Sequence, residues 1–542
     1  MTAAKALLFA TLAVPLAMLL ACVSRCVRQR LPALLAAAPV PALAAPLLIP
    51  TGTSLVLPEP PFRLTLVLDA PGAMLLGATA LLWIIAGAYA SAYLRGDPNA
   101  VRFAEWWLLT LTGSLGVFIA ADLVSFYLTY SVVSLAAWGL ITHDGTAAPR
   151  RAGAIYVALA VLGEAFLLMA FILMAAAATD GSLLIGDAVA ALPASPWRGV
   201  AMILLILGFG LKIGLVPGHV WMPLAYTAAP IPSAAVLSGA AVKAGVVGFI
   251  RFLPLGAAMP QWGEALAAAG LLSAFYGVAV GITQKDPKTV LAYSSISQMG
   301  LLAAALGMGL AAGDTAAALG TSFSAANHVL VKGGLFLAIE VAAIRGAALW
   351  PVLMPAAVLA LGLGGLPLTG GALAKLAIKA QLGSGVVGTL ATMSAVGSTL
   401  LMFHFLRVLV RTVPRPSGVS PAGYTAPWLI VAAAAVAVPW ALFPVAGTAT
   451  SFPALAPGVL WSSFWPVLIG GVLALGLWRW EERLPRVPPG DIVVVAEATT
   501  RAALTWGERI ERADGFLRQW PAASLLLMSL VIVLAAAMLI AD

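Results

Sequence analysis

Apolar runs of about 20 residues, long enough to cross roughly 30 Å of hydrocarbon as α-helix, recur from one end of this chain to the other. In hydrocarbon every backbone N–H and C=O must find its partner within the protein, so such runs fold as helices. No polar stretch between them is long enough to build a soluble domain. With 62% hydrophobic residues, 9% charged residues and a mean hydropathy of +1.03 over 542 residues, the composition lies outside that of water-soluble globular domains. The expected fold class is an all-α polytopic membrane protein.

The periodicity and turn signals place about sixteen spans, with boundaries good to a few residues. They run at 5–22, 31–49, 70–94, 101–121, 122–142, 152–178, 198–224, 230–254, 263–283, 288–311, 315–344, 350–383, 385–411, 424–446, 458–479 and 521–541. SLVLPEPPFRLTLVLD, after the second span, alternates polar and apolar residues and reads as an extracytoplasmic hairpin. Residues 491–519 carry apolar residues at helical spacing with charges opposite, which predicts an interfacial cytoplasmic helix. Basic residues fall on alternate connections: Arg25, Arg28, Arg30, Arg95, Arg102, Arg150, Arg151, Lys285, Lys288, Arg345 and Arg411 on one side, few on the other. The positive-inside rule then puts both termini outside the cytoplasm.

Cys22 and Cys26 are the only cysteines, so no iron–sulfur or thiolate zinc site can be assembled from this chain. Any redox cofactor is expected in a partner, with none in this chain. LLAC at Cys22 resembles a lipoprotein cleavage box, but Lys5 precedes the apolar run and three arginines follow it, the reverse of a signal peptide. The net charge of +8 marks membrane topology rather than a nucleic-acid surface.

Arginine outnumbers lysine, yet Lys212, Lys243, Lys332 and Lys375, half of the eight lysines, fall inside spans, against Arg407 alone among the arginines. An intramembrane cation is costly and marks function by default. A desolvated lysine can release its proton near neutral pH whereas arginine cannot, which favours lysine wherever titration is used. The Lys212 span runs into Pro217 and Pro223, and GGLPLTGG precedes Lys375, so both spans should be broken helices. Broken helices within a bilayer face protein or water, and paired ones mark ion paths in transporters. His328 and Lys332 are four residues apart, on one helix face. Glu105 and Glu164 are the intramembrane carboxylates available near the first of these lysines, with Glu164 the deepest, and Glu340 sits towards the end of the eleventh span. The bland alternative for any one lysine is a side chain that snorkels to the interface, but it fits four of them poorly.

The segments KIGLVPGHVWMPLAYTAAPIPSAAVLSGAAVKAG (212–245), QKDPKTVLAYSSISQMG (284–300), NHVLVKGGLFL (327–337) and GLPLTGGALAK (365–375) carry a family resemblance. They resemble the antiporter-like, proton-translocating membrane subunits shared by respiratory complex I, Mrp-type antiporters, membrane-bound hydrogenases and DAB-type inorganic-carbon transporters. The resemblance covers roughly residues 100–415. It implies fourteen or more helices with two inverted five-helix repeats, each containing a broken helix.

Along the chain this divides into N-terminal spans and hairpin (1–100), a first half-channel repeat (101–254) and a second (263–415). Peripheral spans (416–480), a cytoplasmic amphipathic helix (481–520) and a C-terminal span (521–542) follow. By position, the resemblance makes Lys212 the lysine of the first half-channel, Lys243, His328 and Lys332 the connecting relay, and Lys375 the residue of the second half-channel. Such subunits also pair the first lysine with a fifth-helix glutamate. Ser131 stands in that place here, so either Glu105 or Glu164 substitutes as counter-ion or the first half-channel works differently.

The function implied is proton translocation in a multisubunit complex of a bacterial inner membrane, coupled to redox chemistry in partner membrane and soluble subunits. An alternative is a proton- or cation-conducting subunit of an inorganic-carbon uptake system or an Mrp-type antiporter, moving protons or sodium. A stand-alone carrier fits less well, because the chain lacks varied polar groups for a substrate cavity. A purely structural subunit would not need the lysines. The linker of about forty residues before the last span is shorter than the lateral helix of complex I's distal subunit, which argues against that role.

Overall fold

In the computed structural model, which describes residues 2–57, 64–178, 181–345, 350–412, 422–446, 452–480, 483–485 and 487–494 with Thr499, Glu511, Arg512 and Met528 beyond them, the apolar runs are α-helices. α1 (Ala3–Ala21) starts at Thr2, whose hydroxyl accepts from the Lys5 N–H. Next come a short α2 (Arg25–Arg30), a 3-10 turn at Leu31–Ala33, and α3 (Val40–Leu48). The second span expected at 31–49 is therefore not one continuous helix. Pro32, Pro39 and Pro41 interrupt it, since proline lacks the N–H and clashes with the preceding turn. What remains, nine residues, is about 13 Å of helix and too short to cross alone.

The hairpin lies where the alternation predicts it. β1 (Ser54–Leu57) pairs antiparallel with β2 (Leu64–Val67), Ser54 opposite Val67 and Leu57 opposite Leu64. The pair is fastened to the helices that follow: α4 (Ala70–Tyr93), α5 (Ala100–Gly116) and α6 (Leu123–Ile141). Val67 donates to the Ile119 carbonyl at 2.7 Å, and Ala121 to that of Thr65 at 2.9 Å. Asp122 does two jobs: its carboxylate caps α6 through the Ser125 N–H at 2.8 Å and also accepts from the Thr65 N–H. An Asp at the N-cap satisfies donors that a helix start leaves open.

α7 (Ala147–Ala177), α8 (Ile185–Ala191) and α9 (Arg198–Ile213) come next, and α9 is the first broken span. It ends at Gly214, which adopts φ +75 and so turns the chain where a side chain would be strained. After a 3-10 turn at Gly218–Val220 the span resumes as α10 (Trp221–Ala228). The following span is α11 (Ile231–Val236), a π-helical turn at Leu237–Ala241, and α12 (Lys243–Phe252). Arg251 reaches back from α12 to Asp69 at 3.1 Å and to the Phe118 and Ala120 carbonyls, tying this span to the hairpin end.

α13 (Pro260–Gly281) and α14 (Pro287–Ala312) pack backbone to backbone. Gly263, Gly270 and Gly277 recur every seven residues on one face of α13, opposite Gly307 and Gly300 of α14. A methyl group on Gly270 would stand 2.4 Å from the Gly300 carbonyl oxygen, and one on Gly300 equally close to that of Gly270. Small residues let membrane helices approach this closely, which is where their dispersion energy comes from.

α15 (Ala316–Arg345) is the central helix, packed by α4, α11, α14, α16 (Trp350–Gly364), α17 (Gly370–Leu382) and α19 (Ala422–Leu442). α16 and α17 are the two halves of the second broken span, joined through Gly365 at φ +105 and Leu368 at φ +66. α18 (Val386–Thr412) and α20 (Pro457–Trp480) pack beside α16.

Among the described residues twelve helices are long and apolar enough to cross a membrane. The remainder of the sixteen expected spans are the short α3, the 17-residue α5, the broken α16–α17 and the run at 521–541. The last of these, and most of the amphipathic helix expected at 491–519, lie outside the described residues. Residues 1–489 form one compact unit and residues 490–542 a second.

Candidate functional site

Lys212 occupies the last turn of α9, one residue before the helix gives way at Ile213 and Gly214. Only 7% of it is exposed. Its Nζ donates to the Ser134 hydroxyl of α6 at 2.7 Å and lies 5.4 Å from the Tyr130 ring and 5.9 Å from the Tyr156 ring. Aromatic faces attract a cation electrostatically, and the last turn of a helix, with its open carbonyls, does so as well. Glu164, buried on α7, faces the same place and the Lys212 charge. A buried carboxylate facing an ammonium favours that ammonium's charged form and gives it a partner for proton exchange.

Ser131 lies on α6, and the carboxylate that faces Lys212 comes from Glu164 on the neighbouring helix α7. Glu105 lies elsewhere. It is half-exposed on α5, beside Cys22 at the end of α1. Of the two carboxylates named from the sequence, Glu164 is the one that acts on Lys212.

The central group is closed off from solvent. Lys243 and Lys332 are both 0% exposed and His328 is 3% exposed. The π-helical turn before α12 sets the Lys243 side chain so that its Nζ meets His328 Nδ1 at 2.8 Å and the Ser238 carbonyl at 3.3 Å. One turn further along α15, Lys332 Nζ donates to the Leu291 carbonyl of α14 at 2.8 Å. Two ammonium groups beside one imidazole disfavour each other when all are charged, so a proton gained at one position favours release at another.

Lys375 differs from the other three. It follows the break between α16 and α17, its Nζ donating to the Gly364 carbonyl at the open end of α16. It lines a cavity of about 300 Å³ whose walls include Lys379, Thr392, Ser462 and Ser463, so it is in contact with solvent-sized space rather than sealed. A second space of about 20 Å³, lined by Gln298, Ser324, Asn327 and His328, reaches Lys375 from the centre. That is room for about one water. Smaller gaps of about 10 Å³ flank Lys212, one of them lined also by Leu237, Ala241 and Val242 next to Lys243.

Glu164 thus faces Lys212, a gap at Lys212 reaches Val242 beside Lys243, Lys243 meets His328, and a water-sized space joins His328 to Lys375, with Lys332 one turn from His328. Two histidines were missed in the sequence. His219 is fully buried in the first break with the Tyr276 ring 4.9 Å away, and its signal was its place in GLVPGHVW. His404 Nε2 meets the Gln284 carbonyl at 2.7 Å. The π-helical turn left no sequence signal beyond Gly239.

A family model described as NADH:quinone oxidoreductase/Mrp antiporter, transmembrane, matches residues 120–402, just over half of the chain. NADH-quinone oxidoreductase subunit N of Desulforudis audaxviator is 31% identical over 293 residues, 51% of this chain and 56% of that one. Hydrogenase-4 component B of Escherichia coli is 30% identical over 300 residues, 51% of this chain and 44% of that one. The chain thus spans about half the length of these two relatives. Among solved structures, the Mrp complex from a Dietzia species superposes over 100% of this chain and 63% of its own, with a TM-score of 0.76 at 22% identity, a likeness of fold.

Proposed function

Because the chain belongs to the NADH:quinone oxidoreductase/Mrp antiporter transmembrane family, we propose that it is a proton-translocating subunit of a larger membrane complex. Protons move along Glu164, Lys212, Lys243, His328, Lys332 and Lys375, and chemistry in partner subunits drives them. The chain itself carries no redox cofactor. The observation that carries this is the sealed contact between Lys243 Nζ and His328 Nδ1 at 2.8 Å, with Lys332 one helical turn away. A structural core has little use for two lysines and a histidine in one dry place, since each costs several kcal/mol to desolvate when charged.

In the transfer step a proton passes from Lys243 Nζ to His328 Nδ1 and the proton on Nε2 leaves towards the gap shared with Lys375. Imidazole suits this because one ring nitrogen accepts while the other donates. The two broken spans give each end of the row a helix terminus, and we assign them to two inverted half-channel repeats, 101–254 and 263–415. The membrane is a bacterial inner membrane with the arginine-rich connections on the cytoplasmic side.

Lys212→Ala, Lys332→Ala and Lys375→Ala are each expected to abolish coupled proton movement in the assembled complex without preventing assembly. Undiminished turnover-linked proton movement in all three would refute the assignment. A second reading, an ion-conducting subunit of an antiporter or inorganic-carbon uptake complex, shares the same row of groups. Purification in mild detergent separates the two. Co-purifying flavin or iron–sulfur subunits support redox coupling, and a soluble zinc protein or antiporter subunits support the second.

A further inference from the structure

The row just described leaves Lys332 without an obvious supply of protons of its own. Glu340 lies about two turns beyond it on α15, and His328, Lys332, Phe336 and Glu340 recur at every fourth residue, so each neighbours the next while the row winds about 40° around the helix per step. Glu340 is half-buried near the basic end of the helix, five residues before Arg345. Its Oε2 accepts from the hydroxyl of Tyr89, a residue of α4 with 0% exposure, at 3.0 Å. Lys288, at the start of α14, faces it electrostatically while its Nζ donates to the Ala229 carbonyl in the connection between α10 and α11 at 2.7 Å. The same neighbourhood holds Tyr93 on α4, Tyr424 on α19 and, beyond Lys288, Asp144. Arg95, which faces Tyr424, Asp97, which faces Tyr93, and Arg345 on Glu340's own helix add further charge at this end.

The two columns converge. On α14, Lys288 stands one turn before Leu291, whose carbonyl receives Lys332 Nζ. On α15 the eight residues between Lys332 and Glu340 span about 12 Å, and Phe336, fully buried and edge-on to Tyr226 at 5.8 Å, stands between them. A half-buried carboxyl group with a phenol bonded to it and an ammonium facing it, and an aromatic side chain on the turn between it and a buried amine, make the arrangement of a loading site with an inner door.

We propose that Glu340 is a proton-binding site that loads Lys332 from the basic face, independently of Lys212, which rests on the proton-translocating function proposed above. A proton from water at that face converts the Glu340 carboxylate to the acid. When the Phe336 ring moves aside, the proton passes to the neutral Lys332 amine, which becomes the ammonium, and the carboxylate is restored. Tyr89 and Lys288 are positioning residues. They hold the carboxyl against α4 and stabilise its charged form between loadings.

The test uses Glu340→Gln, which keeps an acceptor for the Tyr89 hydroxyl but cannot take a proton, with Glu340→Asp and Tyr89→Phe beside it. In pH-difference infrared spectra of the full chain in lipid nanodiscs, Glu340→Gln is expected to remove one titrating carboxylic-acid band. Glu340→Asp should retain it and Tyr89→Phe should move it. In the assembled complex in proteoliposomes, Glu340→Gln should slow proton movement at least about tenfold, with Glu340→Asp restoring most of it. Wild-type spectrum and rate in Glu340→Gln, while Lys212→Ala is inactive, would show that the Glu340–Tyr89 bond only fastens two helices, and the proposal falls while the function stands. Full activity in both variants would overturn the function and this proposal together. If Glu340→Gln does not assemble, an unmoved band in Tyr89→Phe overturns it.

Discussion

Lys243 and His328 sit on different helices, 85 residues apart in sequence, yet bring Nζ and Nδ1 to 2.8 Å in a place that solvent does not reach. If that contact exists to move protons, function and stability should respond differently to its removal. Lys243→Met keeps the length of the side chain and removes the charge. Replacing a buried charge by an apolar group of similar volume is commonly neutral or stabilising. The expected outcome is an unchanged or higher melting temperature with proton movement reduced by about 10²-fold, measured on the same preparation by thermal unfolding and a pH-sensitive dye. A variant that melts early and still transports would assign the lysine to structure.

Glu164 standing in for an absent fifth-helix carboxylate gives a second prediction. Glu164→Gln removes the only acidic group that acts on Lys212 among the described residues and should lower proton movement at least about tenfold. Glu105→Gln, half-exposed beside Cys22, should stay within about twofold. Ser131→Glu in the Glu164→Gln background puts a carboxylate back beside the same lysine and should recover part of the loss. Equal effects of the Glu105 and Glu164 variants would mean that proximity in the fold is not what selects the counter-ion.

The parts of this fold legible in the sequence are those governed by local rules. Hydrocarbon thickness fixed the helix lengths, proline and glycine marked the breaks at Gly214 and Gly365, and alternation gave the hairpin. The run at 31–49 is apolar enough for a span, but its three prolines in ten positions, the mark of its weakness in the sequence, divide it. Single-helix spacing placed His328 and Lys332 on one face but said nothing of Lys243, because its approach depends on a π-helical turn, and one extra residue per turn leaves no compositional mark. For the same reason depth along the chain favoured Glu164 over Glu105 without deciding which of them meets Lys212. Only helix packing, a property of residues far apart in sequence, puts Glu164 at Lys212 and turns Glu105 towards α1.

The contact between α13 and α14 depends on hydrogen atoms where other residues carry carbon. Gly270→Ala places a methyl group 2.4 Å from the Gly300 carbonyl oxygen, so the helices must move apart or the side chain must be accommodated by strain. Overpacking of this kind costs about 1–3 kcal/mol, and Gly270→Leu should prevent accumulation of folded protein. Gly186, in α8, has nothing within 4 Å of its would-be methyl group, and Gly186→Ala should be neutral or stabilising by up to about 1 kcal/mol. Comparable melting temperatures for the two alanine variants would show that the helices are not held at this distance.

Asp97 and His143 couple two connections at the arginine-rich face, with His143 Nε2 and Asp97 Oδ2 2.7 Å apart. The Asn99 N–H donates to Asp97 Oδ1 at 2.7 Å, and Arg102 donates to the His143 carbonyl at 3.0 Å. Burial pushes the Asp97 carboxyl up, but the hydrogen bonds from His143 and Asn99 and the charges of His143 and Arg102 outweigh it, leaving the group below the usual carboxylate range. A group whose folded value is depressed stabilises the fold above its unfolded value, and that contribution disappears as pH falls through the folded one. Asp97→Ala should therefore lower the melting temperature at neutral pH by an amount equivalent to about 1 kcal/mol or less. The gap to wild type should narrow as pH drops below about 4, because the wild-type carboxylate is then being protonated too. Thermal unfolding followed by tryptophan fluorescence between neutral and acid pH measures both. A gap that stays constant across that range would mean that the pair acts through packing rather than charge.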